Sequence, residues 1–277
     1  MLSRRSLLSG AAALAAAPTF SRAAETGRKG GQVKLGVASY SLRKKPLPEA
    51  IQDLKTLQVK YVNLKLEAHL PYTSTPAQVA EAKRMLDDAG IQLVGTGNTS
   101  LQKNDEAYIR SKFEFNKRLG APLMVIAPTR ETLPLVEKCV KEFNIPVAIH
   151  NHGPEDKHFP SPQDVLAAIK GTDPRVGLCI DIGHSARAGA DLVASIKQAG
   201  SRLHDMHGKD LRNTHEKDSQ CDVGEGVLPI AAIFKQLELM HYPGYFNLEY
   251  EIHADDPVPG MERSFFYMRG VLAGLSA

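Results

Sequence analysis

The sequence predicts a single (β/α)8 barrel, an α/β fold in which each of eight parallel strands is followed by a helix. Short apolar runs rich in Val, Ile and Leu alternate with longer segments of helical periodicity, and we count eight such units and no ninth. Without its first 23 residues the 277-residue chain keeps 254, close to the ~250 residues typical of such a barrel. Length and pattern therefore indicate one closed domain.

The predicted strands occupy residues 34–39, 60–66, 91–96, 122–127, 146–150, 175–181, 202–207 and 244–249. The predicted helices occupy residues 46–57, 76–89, 106–119, 131–143, 162–169, 189–198, 229–239 and 261–275. Proline, which suits a first helical turn, stands at the expected start of four of these helices, at Pro46, Pro76, Pro162 and Pro229. Eight units in this order favour a closed barrel over an open sheet.

The N-terminus has the pattern of an export signal. Arg4 and Arg5 precede an apolar, alanine-rich stretch that ends at Ala17, and a small-residue cleavage site follows at Ala23. The paired arginines resemble a twin-arginine signal, and an ordinary secretory signal is the alternative. We expect residues 1–23 to be the signal, residues 24–32 a linker and residues 33–277 the barrel of a periplasmic or otherwise exported bacterial protein.

Composition limits the partners. The chain has 34 Lys+Arg against 31 Asp+Glu, and three of its arginines lie in the predicted signal, so the exported chain is expected to be neutral. A nucleic acid is therefore not expected, because binding phosphates requires a surplus of basic residues. No apolar stretch reaches the ~20 residues of a membrane span. We expect a small-molecule sugar as partner, and homo-oligomerisation is left open.

Side-chain alternation along the predicted strands indicates a metal site. In the segment 147–150, Ala148 and His150 face the barrel axis, and by the same alternation Asp181 and Glu249 end their strands facing inward. With His207 at the end of the seventh strand, four adjacent strands each supply one nitrogen or oxygen ligand. We predict one divalent ion (Mn, Zn, Co, Fe or Mg). The alternative is four separate polar strand ends, each satisfied by hydrogen bonds.

Four motifs, in this order, resemble those of the xylose isomerase-like TIM barrels, the sugar phosphate isomerase/epimerase superfamily: Asp181-Ile-Gly-His184, His207-Gly-Lys-Asp210, Val223-Gly-Glu-Gly226 and Asn247-Leu-Glu249. The resemblance covers nearly the whole exported chain. It implies that Asp181, His207 and Glu249 bind the metal, that His184 lies close to the substrate, and that Glu225 lies on the loop after the seventh strand.

One position departs from that pattern. Where family members commonly have Glu-Asn-His at the end of the fifth strand, this chain has His150-Asn151-His152. Family epimerases use that glutamate and the one on the eighth strand as two bases, and a metal-bound imidazole has no free carboxylate oxygen to take a proton. We therefore expect Glu249 to act with a second proton-transfer group, His152, His184 or Lys65, rather than in symmetrical epimerisation.

Several further residues are candidates for the site. Lys65, at the end of the second strand, points inward and is a candidate acid or base, with an ion pair to Glu67 or Glu249 as the alternative. The residues assigned to substrate binding are Lys209, Glu225, His69 and Tyr40. For Lys209 the alternative is a structural ion pair with Asp210 or Asp205.

These observations predict a metal-dependent isomerase or carbon–oxygen lyase. It would transfer a C–H proton next to the carbonyl of an unphosphorylated sugar or keto-sugar, and an alternative is a hydratase or dehydratase of a 3-keto-sugar. Two weaker alternatives are a phosphodiesterase like endonuclease IV, which a neutral chain disfavours, and a sugar-binding barrel without catalysis.

Overall fold

The structure, a computed structural model, describes residues 33–277, so the predicted signal and linker lie outside the described residues. Eight parallel strands close into a barrel in the order β1, β10, β7, β6, β5, β4, β3, β2, which confirms the predicted (β/α)8 fold. The barrel strands are β1 (Lys34–Ala38), β2 (Tyr61–Leu64), β3 (Gln92–Leu101), β4 (Met124–Pro128), β5 (Val147–His150), β6 (Val176–Asp181), β7 (Leu203–Gly208) and β10 (Tyr245–Leu248). A short hairpin of β8 (Asp210–Leu211) and β9 (Gln220–Cys221) follows β7.

Eight of the helices correspond to the predicted ones: α1 (Leu47–Thr56), α3 (Pro76–Asp88), α4 (Glu106–Leu119), α5 (Leu133–Phe143), α6 (Pro162–Ala168), α8 (Leu192–Ala199), α9 (Ile230–Leu239) and α10 (Val258–Leu275). Two short helices were not predicted, α2 (Leu66–His69) and α7 (Ile182–Arg187). Both stand at the carboxyl ends of strands, where they shape the rim of the barrel. Among the helices of residues 33–277, none combines the length and apolar character needed to cross a membrane.

The strands pack in the phase that the sequence predicts. Val147 and Ile149 belong to the main hydrophobic core between the strands and the helices. Ala148 belongs instead to a small separate cluster with Val125 and Cys179. Because side chains alternate along a strand, His150 continues the inward phase of Ala148 and reaches the carboxyl-terminal mouth of the barrel.

Strand β3 runs five residues beyond its predicted end. Its register against β4 shifts between Thr96 and Thr99. Gly97 lies within this shift at φ +135°, and a Cβ there would overlap the backbone carbonyl of Val125, so only glycine fits. The irregularity brings Asn98 to the rim above the inward-facing ends of the neighbouring strands.

A packing prediction follows from Gly208 on β7. A methyl group at this position would overlap the buried ring of Phe246, which itself packs edge-on against Phe234 with ring centroids 4.9 Å apart. We expect Gly208→Ala to lower the free energy of unfolding by about 1–3 kcal/mol through overpacking. Urea denaturation followed by circular dichroism measures this change.

The matched control is Gly270→Ala on α10, where an added Cβ would meet nothing within 4 Å. Because alanine favours helix over glycine, this variant should be as stable as the native protein or more stable by about 0.5–1 kcal/mol. Equal stabilities for the two variants would contradict the packing described for β7.

Candidate active site

Four side chains converge at the carboxyl ends of adjacent strands. His150 ends β5, Asp181 ends β6, His207 lies one residue from the end of β7, and Glu249 directly follows β10. All four are buried, and one ligand atom from each lies within 4.8 Å of those of the other three. The structure thus brings together the four residues that the sequence proposes as metal ligands.

The distances between these atoms suit a small cation. His150 Nε2 lies 3.0 Å from His207 Nδ1, 3.4 Å from Asp181 Oδ2 and 3.9 Å from Glu249 Oε2, and His207 Nδ1 lies 3.1 Å from Glu249 Oε2. Ligand atoms about 2.1 Å from a tetrahedral zinc ion lie roughly 3.4 Å from one another. Asp181 Oδ2 is buried, and among the described residues it has ion-pair contacts but no hydrogen bond of good geometry. The donor set therefore fits a divalent ion.

Local structure fixes the direction of the Asp181 carboxylate. Its Oδ1 atom caps α7 by accepting a hydrogen bond from the backbone N–H of His184 at 2.8 Å, which leaves Oδ2 facing the other three residues. Asn151 accepts the backbone N–H of Asp181 at 3.1 Å and donates to Ser185 Oγ at 3.0 Å. The strand end and the helix start are thereby tied together.

Lys209 places an ammonium group beside this cluster. Its Nζ atom lies 3.0 Å from Asp181 Oδ2, 3.1 Å from Glu249 Oε2 and 2.9 Å from Glu251 Oε1. The alternative of an ion pair with Asp205 or Asp210 is wrong, because the ion pairs of Lys209 run to these three other carboxylates. Asp205 accepts hydrogen bonds from two asparagine amides, and Asp210 from backbone N–H groups. Lys209 instead offsets the buried negative charge of the candidate ligands.

Charge and burial determine the protonation of the cluster. Burial and the neighbouring His152 lower the pKa of His150 to about 3, although Asp181 opposes the shift. His150 is therefore a neutral imidazole at neutral pH, with a lone pair available to a metal. Burial favours the neutral acid of Glu249, but His207 and Lys209 outweigh it and hold the pKa of this carboxyl well below its usual value. Glu249 is consequently a carboxylate.

An inner cavity of about 340 Å³ adjoins the cluster and is lined by His150 and Glu249. The predicted site residues that line it are Tyr40, Lys65, His150, His152, His184 and Glu249. An outer cleft of about 830 Å³ adjoins the inner cavity and shares part of its wall. Two of the candidate metal ligands, His150 and Glu249, thus reach a polar depression that is large enough for a small molecule.

Two histidines beside His150 form the wall of the inner cavity. The ring of His152 lies 4.4 Å from that of His150 and 5.7 Å from that of His184, measured between centroids. His152 Nε2 is 2.9 Å from Asn98 Nδ2, and its Nδ1 is 3.4 Å from Asp156 Oδ2. Burial lowers the pKa of His184, against the opposing charge of Asp181, so His184 is neutral at neutral pH. Both imidazoles are placed to exchange a proton with a bound molecule.

Lys65 lines both the inner cavity and the outer cleft. Its Nζ atom donates a hydrogen bond to the carbonyl oxygen of Asn98 at 2.5 Å and lies 3.0 Å from Glu67 Oε2. The predicted ion pair with Glu67 and the predicted position at the site therefore occur together.

Of the four residues assigned to substrate binding, only Tyr40 lines either space. Lys209 is buried beside the candidate ligands, and the other two have separate partners. His69 is buried, and its Nε2 atom is 3.0 Å from the backbone oxygen of Ser39. Glu225 is half exposed and pairs with Arg212 at 3.0 Å. The structure therefore does not bring His69 or Glu225 to the substrate cavity, and we correct both assignments: one residue joins backbone segments and the other lies on the surface.

The glycine-rich loop that contains Glu225 has a structural partner in Asp210. The buried Asp210 carboxylate accepts backbone N–H groups of Leu211 at 2.9 Å, Gly224 at 3.0 Å, Gly226 at 3.2 Å and Leu228 at 3.0 Å. A Cβ on Gly226 would overlap this carboxylate. The two motifs His207–Asp210 and Val223–Gly226 therefore act together to fold the rim beside Lys209.

Sequence reasoning missed Asn98 and Glu251, which also line the inner cavity. Asn98 contacts both Lys65 and His152, and Glu251 holds Lys209. Glu251 lies two residues after Glu249, so the alternation of side chains in the sequence could have indicated that it also faces inward. Asn98 had no comparable signal, because its position depends on the register shift in β3.

Residues 23–270 match the protein family described as the xylose isomerase-like TIM barrel. The rhizopine catabolism protein MocC of Rhizobium meliloti is 29% identical over 205 residues, which are 69% of this chain and 58% of MocC. The chain thus spans about three fifths of the length of this curated relative.

Three solved structures are similar in fold. The IolI protein with a bound zinc atom has a TM-score of 0.74 and 15% identity over 87% of this chain and 98% of its own. The 3-keto-D-glucoside 4-epimerase YcjR of E. coli has a TM-score of 0.71 and 16% identity over 86% of this chain and 100% of its own. The probable 3-DHS dehydratase AsbF of Bacillus anthracis has a TM-score of 0.71 and 12% identity over 85% of this chain and 98% of its own. At these identities the likeness shows the fold alone.

The role of Asp210 gives a stability prediction. Asp210→Ala removes the acceptor of four backbone N–H groups beside a buried site, and we expect the free energy of unfolding to fall by about 3 kcal/mol. The control Asp218→Ala, at an exposed position in the same connection, should change it by less than about 0.5 kcal/mol. Denaturant unfolding curves measure both, and a native-like curve for Asp210→Ala would refute the structural role of this carboxylate.

Proposed function

Because the chain belongs to the xylose isomerase-like TIM barrel family, we propose that it is a metal-dependent enzyme that acts on an unphosphorylated sugar or keto-sugar. The reaction is the transfer of a C–H proton at a carbon next to a carbonyl group. The observation that carries this proposal is the convergence of four possible metal ligands, two of which line a polar cavity: His150, Asp181, His207 and Glu249, with His150 and Glu249 in the cavity wall.

These four residues would hold one divalent metal ion. When bound, the ion supplies Lewis-acid chemistry: it polarises a carbonyl or hydroxyl oxygen and makes the adjacent C–H bond more acidic. Two imidazole nitrogens and two carboxylate oxygens suit Zn²⁺, Mn²⁺, Co²⁺ or Fe²⁺, and Mg²⁺ is the weakest candidate because it favours oxygen ligands.

Glu249 is the proposed base. Within residues 33–277 the ion contacts of its carboxylate run through Oε2, toward His207 and Lys209, and Glu249 also lines the inner cavity. Its Oε1 atom is thus the oxygen that a substrate C–H group would meet. The low pKa of the carboxyl makes Glu249 a weak base, so the reaction depends on a C–H proton that is already acidified.

The group that returns a proton to the substrate is one of three other side chains of the inner cavity. His152, His184 and Lys65 line the same cavity as Glu249, and none of them is among the four candidate metal ligands. A group so placed can protonate either a carbon or a departing hydroxyl group. Protonation at carbon completes an isomerisation, and protonation of the hydroxyl completes an elimination of water.

Lyase or hydratase chemistry on a 3-keto-sugar is the second candidate function. Its support is His150, which stands where family epimerases have one of their two basic carboxylates. Such an unequal pair of proton-transfer groups suits elimination, addition of water or one-face isomerisation better than epimerisation. Deuterium incorporation in D₂O without loss of water would favour the isomerase, and release of an unsaturated keto-sugar would favour the lyase.

Two other functions have less support. A phosphodiesterase like endonuclease IV would need several metal ions, whereas the candidate ligand groups among residues 33–277 both contain His150 and His207 and so describe one centre. A sugar-binding barrel without catalysis would bind a keto-sugar saturably and exchange no proton.

We also propose that the chain is exported by its twin-arginine signal, which gives it access to unphosphorylated sugars.

Metal content tests the ligand assignment. Asp181→Asn and His207→Ala should each lower the metal content of the purified protein at least tenfold and abolish activity, because each removes a donor from a four-donor set. Asp256→Asn and His215→Ala, at exposed positions, should keep native metal content. Full occupancy in His207→Ala, measured by mass spectrometry of bound metals, would overturn the assignment.

Replacing His150 by glutamate tests whether the lack of a second basic carboxylate disfavours epimerisation. His150→Glu supplies the missing carboxylate and should raise the rate of epimer interconversion at least tenfold relative to the native enzyme. His150→Gln, which is polar but cannot accept the proton, should not. Rates are measured by NMR with keto-sugars in D₂O. Efficient epimerisation by the native enzyme that stays unchanged in His150→Glu would show that the asymmetry has no role.

Kinetics with a matched pair of compounds test whether the substrate is unphosphorylated. Exported enzymes meet few phosphate esters, and the exported chain is expected to carry no basic excess. We expect kcat/KM for a neutral keto-sugar to exceed that for its phosphate ester at least tenfold. Steady-state kinetics with the two compounds decide the point, and a higher value for the phosphate ester would contradict the proposal.

A further inference from the structure

The inner cavity opens into the outer cleft, and the two share the side chains Lys65, Asn98, His152 and His184 as a common wall. Small-molecule sites commonly measure roughly 300–1,000 Å³. At about 340 Å³ the inner cavity is at the lower end of this range, while the outer cleft alone has about 830 Å³. The combined space therefore exceeds what one sugar ring above the candidate ligands requires.

We propose that the outer cleft is a binding subsite for a second sugar unit. The substrate is then a disaccharide or a similar glycoside, with the reacting ring in the inner cavity and the attached unit in the outer cleft. This assignment rests on the proposed function only for the chemistry at the inner ring.

The wall of the outer cleft formed by the loop after β5 is preorganised. The backbone N–H of His152 donates to Phe159 O, and that of Gly153 donates to Pro160 O, both at 3.1 Å. Asp156 accepts the backbone N–H groups of His158 at 2.7 Å and Phe159 at 3.1 Å. A loop fixed in this way loses little conformational freedom when a ligand binds.

Helix α7 joins the two spaces. Arg187 lies one turn after His184, so both side chains fall on the same face of the helix and both line the outer cleft. The Arg187 side chain is only 8% exposed and is paired with Glu155 across the cleft wall. The boundary between the subsites is therefore rigid, and a ligand that spans it meets fixed groups on both sides.

Three side chains of the outer cleft are available to a ligand. Gln102, Lys157 and Lys217 line it, and none of them forms a hydrogen bond or ion pair with another residue in the part of the chain that the structure describes. An amide and two ammonium groups offer both donors and an acceptor for hydroxyl groups. These are the contacts that a sugar unit requires.

The outer cleft presents charges of both signs. Four basic side chains line it together with three carboxylates, those of Glu67, Glu155 and Asp156. These three carboxylates already lie against Lys65, Arg187 and His152. The hydroxyl groups of a sugar unit can accept hydrogen bonds from the ammonium groups that remain.

The test compares two unreactive probes by calorimetry on the metal-loaded full-length protein. Methyl β-D-glucoside and cellobiose have no C–H group acidified by a carbonyl, so they bind without turnover. We expect cellobiose to bind at least tenfold more tightly. Equal dissociation constants, or no binding of cellobiose, would overturn the proposed subsite.

Variants of the outer cleft test which side chains produce the preference for cellobiose. The double variant Gln102→Ala, Lys217→Ala should reduce the preference for cellobiose to less than about threefold, whereas Lys235→Ala, on the outer face of α9, should retain it. An undiminished preference in the double variant would also overturn the subsite. Failure of the proposed reaction can be told apart from failure of the subsite. A protein that prefers cellobiose but exchanges no deuterium into any keto-sugar would refute the proposed reaction and leave the subsite intact.

Discussion

The barrel buries two carboxylates, Asp181 and Glu249, side by side, and the rest of the site is arranged to offset their charge. Removing such groups from water is costly unless positive charge lies close by. Lys209 contacts both, and Glu249 also lies against His207. Gly183 makes room for this arrangement, because a Cβ there would lie 2.6 Å from the Lys209 side chain. The need to balance these charges thus explains the glycine and the lysine of two different motifs.

The residues proposed to bind the metal differ from those proposed to contact the substrate. The buried cluster of carboxylates and imidazoles would hold the proposed metal ion, while the imidazole, amide, ammonium and carboxylate groups of the cavity walls would contact the proposed sugar. Asp210 takes no part in the charge balance. It folds the glycine-rich loop and so supports the strand end from which Lys209 extends. The candidate metal ligands and the residue that folds the neighbouring loop are therefore different residues of neighbouring motifs.

Alternation along parallel strands was sufficient to predict the barrel and to place His150, Asp181, His207 and Glu249 together, because a two-residue period and a common strand direction leave little freedom. Residues on loops were less predictable. Neither His69 nor Glu225 reaches the cavity, since a short helix turns one away and the Asp210 loop turns the other outward. Asn98 depends on a register shift that needs the contact between Gly97 and Val125, which no spacing in the sequence records.

We propose that the four strand-end residues form one metal centre and that Lys209 helps to offset the charge of its two carboxylates. Anomalous diffraction from crystals of the protein grown with Mn²⁺ tests this arrangement. We expect one strong anomalous peak between His150 Nε2, Asp181 Oδ2, His207 Nδ1 and Glu249 Oε2, at distances of about 2.0–2.3 Å. A peak at another place, or none while Lys209 Nζ stays between the two carboxylates, would contradict it.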